Sequence, residues 1–152
     1  MKCDPFLKME ISGANENERQ IVYNEKELLL LRWYKLMNPI AKSAVQSALD
    51  HFLNRDVYLH LETTNGAYAV HKQESTMTVG AYIRNGRICF GRGVITGEGP
   101  YRVGLKMEIG WVYAEGLTDF EIDQAGRLLL AGHDQEGRLA VALELSFTPF
   151  DL

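Results

Sequence analysis

Apolar residues recur at spacings of three and four from residue 40 to residue 52, then switch to an alternation that persists almost to the end of the chain. In the first stretch Ile40, Ala41, Ala44, Val45, Ala48, Leu49 and Phe52 share one face, and Lys42, Ser43, Gln46, Ser47 and Asp50 take the other. That period predicts an amphipathic helix. Asn38-Pro39 reads as its start, with Asn as N-cap and Pro at the first helical position. Asn54-Arg55-Asp56 ends it.

Alternation opens with Val57, Leu59 and Leu61 against Tyr58, His60 and Glu62. Asn65-Gly66 and Asn85-Gly86 each read as a two-residue hairpin loop. A loop at Asn85-Gly86 pairs Ile83 with Ile88, Tyr82 with Cys89 and Ala81 with Phe90. Gly97-Glu98-Gly99-Pro100 is a further turn, and residues 101–108 and 109–115 are strand text. One phrase then appears twice, as Asp123-Gln124-Ala125-Gly126-Arg127-Leu128 and Asp134-Gln135-Glu136-Gly137-Arg138-Leu139. The Asp side chain caps the turn, and the Gly supplies the positive φ of a type I turn with a bulge. Two such loops in succession predict a meander. In the last strand Leu139, Val141, Leu143 and Leu145 line one face while Ala140 and Ala142 line the other, as expected of a strand covered on both sides. The expected fold is all-β: an antiparallel meander closing into a barrel-like sheet, with one N-terminal amphipathic helix packed on it. A half-open sandwich is the alternative.

Composition narrows the partners. Hydrophobic residues make up 46% and charged residues 24%, within the range of globular domains, and the net charge is -4. The basic residues between Arg84 and Lys106 are spread singly, so a broad nucleic-acid-binding face is not expected. The longest apolar run, residues 28–31, is too short to cross a bilayer, and no signal-peptide core precedes a cleavage site. Cys3 and Cys89 cannot build a disulfide framework, and Cys89 reads as a small buried side chain between Ile88 and Phe90. These features predict a cytoplasmic protein.

Three groups of residues could carry chemistry. His60 and Glu62 share a strand face, with His71 and His133 elsewhere in the sheet. Gathered at a barrel mouth, His60, Glu62 and His133 could hold a metal or serve a small enzyme. The alternative is that each His is bonded locally or faces solvent; no diagnostic metal spacing is present. Glu115, Asp119, Glu121 and Asp123 form an acidic series, better suited to a charged rim than to paired catalytic carboxylates. Tyr101, Arg102, Trp111, Tyr113 and Glu115 lie on neighbouring strands, and their mix of rings and charges suits core packing, a ligand pocket or a subunit interface. No phosphate loop, activated nucleophile or cofactor motif appears, so no catalytic residue or cofactor is assigned and a non-enzymatic binding role is expected.

From Met37 to Phe150 the chain resembles the YojF family of uncharacterised bacterial proteins, found mainly in Bacillus-like Firmicutes. The resemblance is carried by Asp56-Val57-Tyr58-Leu59-His60-Leu61-Glu62-Thr63-Thr64-Asn65-Gly66, Gly80-Ala81-Tyr82-Ile83-Arg84-Asn85, the run from Gly99 to Lys106, the run from Trp111 to Asp119, and Ala131-Gly132-His133-Asp134. It implies a β-barrel-like fold and self-association as a homo-oligomer. It also implies, from gene adjacency in the family, a deacetylase of the bacillithiol-biosynthesis type as a partner. It brings no assigned function.

Residues 1–36 fall outside the resemblance and lack sustained periodicity. Trp33 is encoded by TGG, and an AGG codon at Arg32 would make AGGTGG, a ribosome-binding sequence three codons before Met37. Residues 1–36 are therefore expected to be either an extension with translation starting natively at Met37, or a genuine helical addition. Because the helix and strand signals begin at Asn38, thermal melts of the full chain and of a chain starting at Met37 should agree closely. Loss of folding on truncation would refute this.

Overall fold

The computed structural model describes residues 37–63, 81–135 and 137–151. The predicted Asn65-Gly66 turn, His71 and the extension at residues 1–36 lie outside them. Eight antiparallel strands form one sheet: β1 (Asn38–Pro39), β2 (Asp56–Thr63), β3 (Tyr82–Thr96), β4 (Tyr101–Met107), β5 (Trp111–Leu117), β6 (Asp119–Ile122), β7 (Leu128–His133) and β8 (Leu139–Ser146), in the order β1-β6-β7-β8-β2-β3-β4-β5. The one helix among the described residues, α1 (Lys42–His51), packs on β3 and β7.

The predicted closure into a barrel is not seen among the described residues: β1 ends the sheet on one side and β5 on the other. The sheet instead folds over on itself. The 15-residue strand β3 pairs with β2 through its first half and with β4 through its second, so it belongs to both layers. At the far side β5 packs across β7 and β8, and one residue, Thr118, separates it from β6. Between the layers lie Val57, Leu59, Phe90, Val103, Leu105, Leu117, Leu128, Leu130, Leu143 and Leu145, joined by Val45 and Leu49 from the helix and Phe52 at its C-cap.

The repeated turn phrase does what its sequence dictates. Asp123 and Asp134 each accept a hydrogen bond on Oδ1 from the backbone N–H four residues on, at 2.9 Å. Their Oδ2 atoms accept from Nε of Arg127 at 2.5 Å and of Arg138 at 2.8 Å. Gly126 and Gly137 take φ values of 74° and 75°. Each loop is thus a five-residue clamp in which the Arg holds the capping carboxylate.

Asn85-Gly86 is not a hairpin loop. β3 runs straight through it, pairing Ile83 with Leu61 and Ile88 with Val57, with a register shift between Leu59 and Leu61. Asn85 takes φ 54°, the only trace of the turn signal. Its amide is engaged instead by the C-terminal segment: Nδ2 donates to the Phe150 carbonyl at 2.9 Å, and Oδ1 accepts from the Phe150 N–H at 2.7 Å. Cys89, expected to be buried, is exposed because Phe90 takes the inward position.

The helix also starts later than its sequence signal. Asn38 and Pro39 pair with Phe120 and Asp119 of β6, and Ala41 caps α1 without a side-chain bond. Gln46, assigned to the solvent face, turns out to be structural. Beyond Cys89, β3 has left β2, and Gln46 bonds the edge so exposed: its Nε2 donates to Gly93 O at 3.0 Å, and its Oε1 accepts from Ile95 N at 3.2 Å. One side chain replaces the missing strand.

The fold-over depends on Gly132. A Cβ there would sit 2.1 Å from the carbonyl oxygen of Gly116 and 2.6 Å from the Val141 side chain. Since that oxygen is backbone, Gly132→Ala should destabilise by about 3 kcal/mol or more, above the usual cost of overpacking. Gly126→Ala, which meets nothing within 4 Å, should cost only about 1 kcal/mol of backbone strain. Urea midpoints of the two variants check this, and equal midpoints would contradict it.

Candidate functional site: the outer face of the β4–β5 hairpin

On β4 and β5 the cross-strand pairs Arg102 with Glu115, Gly104 with Tyr113 and Lys106 with Trp111 form the face turned away from the core. Val103, Leu105 and Ala114 point inward and are buried. Alternation alone sends the two sets apart. Tyr113 and Trp111 lean over Gly104: a Cβ at that position would lie 2.7 Å from Tyr113 Cε1 and 3.4 Å from Trp111 Cε3. The missing side chain is what lets the rings lie down on the sheet.

The two rings stack on each other with centroids 5.3 Å apart and planes 10° from parallel. Arg102 approaches the Tyr113 ring at 5.6 Å, and Lys106 approaches Trp111 at 5.7 Å. Arg102 also makes an ion pair with Glu115. The result is a ladder, Arg102–Tyr113–Trp111–Lys106, lying across one hairpin. Trp111 remains 37% and Tyr113 49% exposed, so the core reading of these two residues does not hold. Arg92 and Val94 of β3, paired with Lys106 and Gly104, continue the face. Each cation–π contact at such an exposed site is worth about 0.5–1 kcal/mol. The ladder therefore orders the face without contributing much to folding.

Tyr101 separates from this group. A register shift between Tyr101 and Arg102 turns its ring onto the core. The sequence grouping thus holds for Arg102, Trp111, Tyr113 and Glu115. It missed Lys106 and Gly104, which could have been found by counting back across the short connection at Glu108–Gly110.

The histidines go to two places. His60 is buried; its Nε2 lies 3.3 Å from Glu62 Oε2, and Arg84 Nη1 lies 3.4 Å from its Nδ1. Since Arg can only donate, Nδ1 accepts and Nε2 carries the proton toward Glu62. Tyr82 and Phe150 pack edge-on against the ring. His133 Nδ1 lies 2.8 Å from Asp119 Oδ2, which also accepts from Thr118 Oγ1 at 2.5 Å. On the sheet His60 pairs with Glu144, and Glu144 with Leu129, so His133 is four residues further along β7, about 13 Å away along the strand. His60, Glu62 and His133 are not brought together. Among the described residues no three His, Cys, Asp or Glu side chains converge in a metal-binding group. The acidic series disperses too, with Glu115 on Arg102, Asp119 on His133 and Asp123 on Arg127.

Residues 39–150 match the family described as a protein of unknown function, DUF1806. The uncharacterised protein YojF of Bacillus subtilis (strain 168) is 52% identical over 114 residues, covering 75% of this chain and 98% of that protein. The chain belongs to this family. The crystal structure of Bacillus subtilis YojF is similar in fold, with a TM-score of 0.65 and 46% identity, over 77% of this chain and 99% of that one. Among the described residues no helix is long and apolar enough to cross a membrane.

The Asn85 clamp on Phe150 holds the C-terminal segment against His60. Asn85→Ala should lower stability by about 1–3 kcal/mol, two hydrogen bonds' worth, and speed amide exchange at Phe150. An unchanged denaturation midpoint with unchanged exchange would show that the clamp holds nothing.

Proposed function

We propose that this YojF-family chain is a non-enzymatic binding or accessory module that docks protein partners through the outer face of the β4–β5 hairpin. One observation carries the reading: two large aromatic rings lie half-exposed, stacked on each other and flanked by Arg102 and Lys106, on the face away from the core. Rings and Arg set in a polar surround are the composition of interface anchors. A protein surface fits better than nucleic acid, because the rings stack on one another instead of offering a succession of free faces to bases. The same composition in a concave site would suit a small ligand; here the rings lie on the outer face of a two-stranded hairpin.

The setting proposed is the cytoplasm, with the chain acting as a homo-oligomer. The bacillithiol-type deacetylase suggested by the family resemblance is the partner to try first. The dispersal of His60, Glu62 and His133 removes the geometric support for the metal or enzyme alternative. The buried His60 has its bonding accounted for by the partly exposed Glu62 and Arg84 beside it.

Trp111→Ala should cut partner capture and assembly by about 2 kcal/mol or more, while moving the melting temperature little, since the ring is on the outer face. Pull-down from a native host and sedimentation would be read beside a thermal melt. A variant that melts normally, assembles normally and captures every wild-type partner would eliminate the docking face.

A further inference from the structure

Among the described residues the sheet has two edges, and they are not alike. β1 is two residues long and includes Pro39, which has no N–H to offer a neighbour. Short length and proline are the usual protections of an edge strand. β5 has neither. It is seven residues long, carries no Pro, Lys or Arg, and its one charge, Glu115, is already paired with Arg102. It presents Trp111 and Tyr113 beside its free edge.

The backbone of β5 is set for pairing. Met107 N donates to Gly110 O at 3.1 Å, closing the hairpin with a bonded pair at those two residues. Antiparallel alternation from there assigns the backbone groups of Val112 and Ala114 to β4. Those of Trp111, Tyr113 and Glu115 then point to the open edge. Beyond Glu115 the strand bends over β7 at Gly116, so the usable edge is the five residues Trp111 to Glu115, centred on Tyr113.

We infer that β5 joins to β5 of a second copy of this chain, antiparallel about a two-fold axis at Tyr113. The segment is self-complementary in that register. Tyr113 meets its own counterpart, and Trp111 lies across from Glu115 of the partner subunit. On the shared face each Glu115 then has cationic and aromatic side chains on both sides, since Arg102 lies on its own β4 and Trp111, with Lys106, comes from the other copy. An isologous contact of this kind closes with two subunits and leaves no growing end. The β1 edges, blunted by Pro39, cannot extend the assembly into a fibre. This rests on the docking-face reading and gives the homo-oligomer its joint.

A two-fold at Tyr113 makes a specific experiment possible. Tyr113→Lys places two like charges opposite each other, as does Tyr113→Glu, and each should weaken self-association by roughly a hundredfold. Mixing the two variants puts Lys opposite Glu and should restore a dimer, read by sedimentation and by native mass spectrometry of the mixed species. Thermal melts confirm folding, which is expected because Tyr113 is half-exposed. Single variants that stay dimeric, or a mixture that stays monomeric, would overturn the joint while leaving self-association elsewhere open. A wild type monomeric at high concentration would overturn both the joint and self-association. The docking face would still stand or fall with partner capture by Trp111→Ala.

Discussion

Two glycines set the shape of this molecule. Where β5 ends, the Gly116 carbonyl presses on Gly132 of β7 at a distance that leaves no room for a Cβ. That contact lets the chain pass from one layer to the other through Thr118 alone. Thr118 secures the crossing: its N–H donates to Ala131 O at 2.8 Å, and its Oγ1 accepts from His133 N at 3.1 Å. With β5 lying across β7 and β8, Leu117, Leu128, Leu130 and Val141 are buried between two parts of one sheet. A residue with a side chain at position 132 would hold the layers apart and expose that core.

Folding a sheet over has a cost in unpaired backbone, which the structure meets in different ways at its two bends. At the β3 bend the amide of Gln46 bonds Gly93 and Ile95, so the helix acts as a surrogate strand as well as a lid. Its close approach is possible because Gly93 presents no side chain; a Cβ there would meet Leu49 Cβ at 3.2 Å. At the β5 bend no such surrogate is found among the described residues, and the strand's outward groups stay at the edge. The same bend that buries Leu117 therefore leaves Trp111, Tyr113 and Glu115 at a place where another chain can reach them. The fold and the proposed docking face are consequences of one geometry.

What the sequence revealed was local, and what it hid was not. The paired Asp…Gly-Arg loops were legible because every bond in them lies within five residues. The alternation in β2 and β8 was legible for the same reason, and the grouping of Arg102, Trp111, Tyr113 and Glu115 on neighbouring strands held. Asn85-Gly86 carried an equally strong local signal, yet the Phe150 backbone and the β2 ladder together hold it inside a strand. Asn38-Pro39 lost its capping role to a pairing with Phe120 and Asp119 of β6, far along the chain. Gln46, Gly132 and the open edges could not be read at all, because each depends on which strands meet across the fold. Membership of the YojF family, by contrast, was legible in long ordered phrases such as the run from Trp111 to Asp119.

Among the described residues β5 is an open edge, with alternate amides turned away from β4. Residue-resolved hydrogen exchange along β5, at dilutions where the chain is monomeric, tests this most directly. Val112 and Ala114, bonded to β4, should be protected, while Trp111, Tyr113 and Glu115 exchange at rates near those of unstructured backbone. Equal protection of all five amides in the monomer would mean that the chain covers its own edge. The open edge, and the β5–β5 joint built on it, would then be wrong.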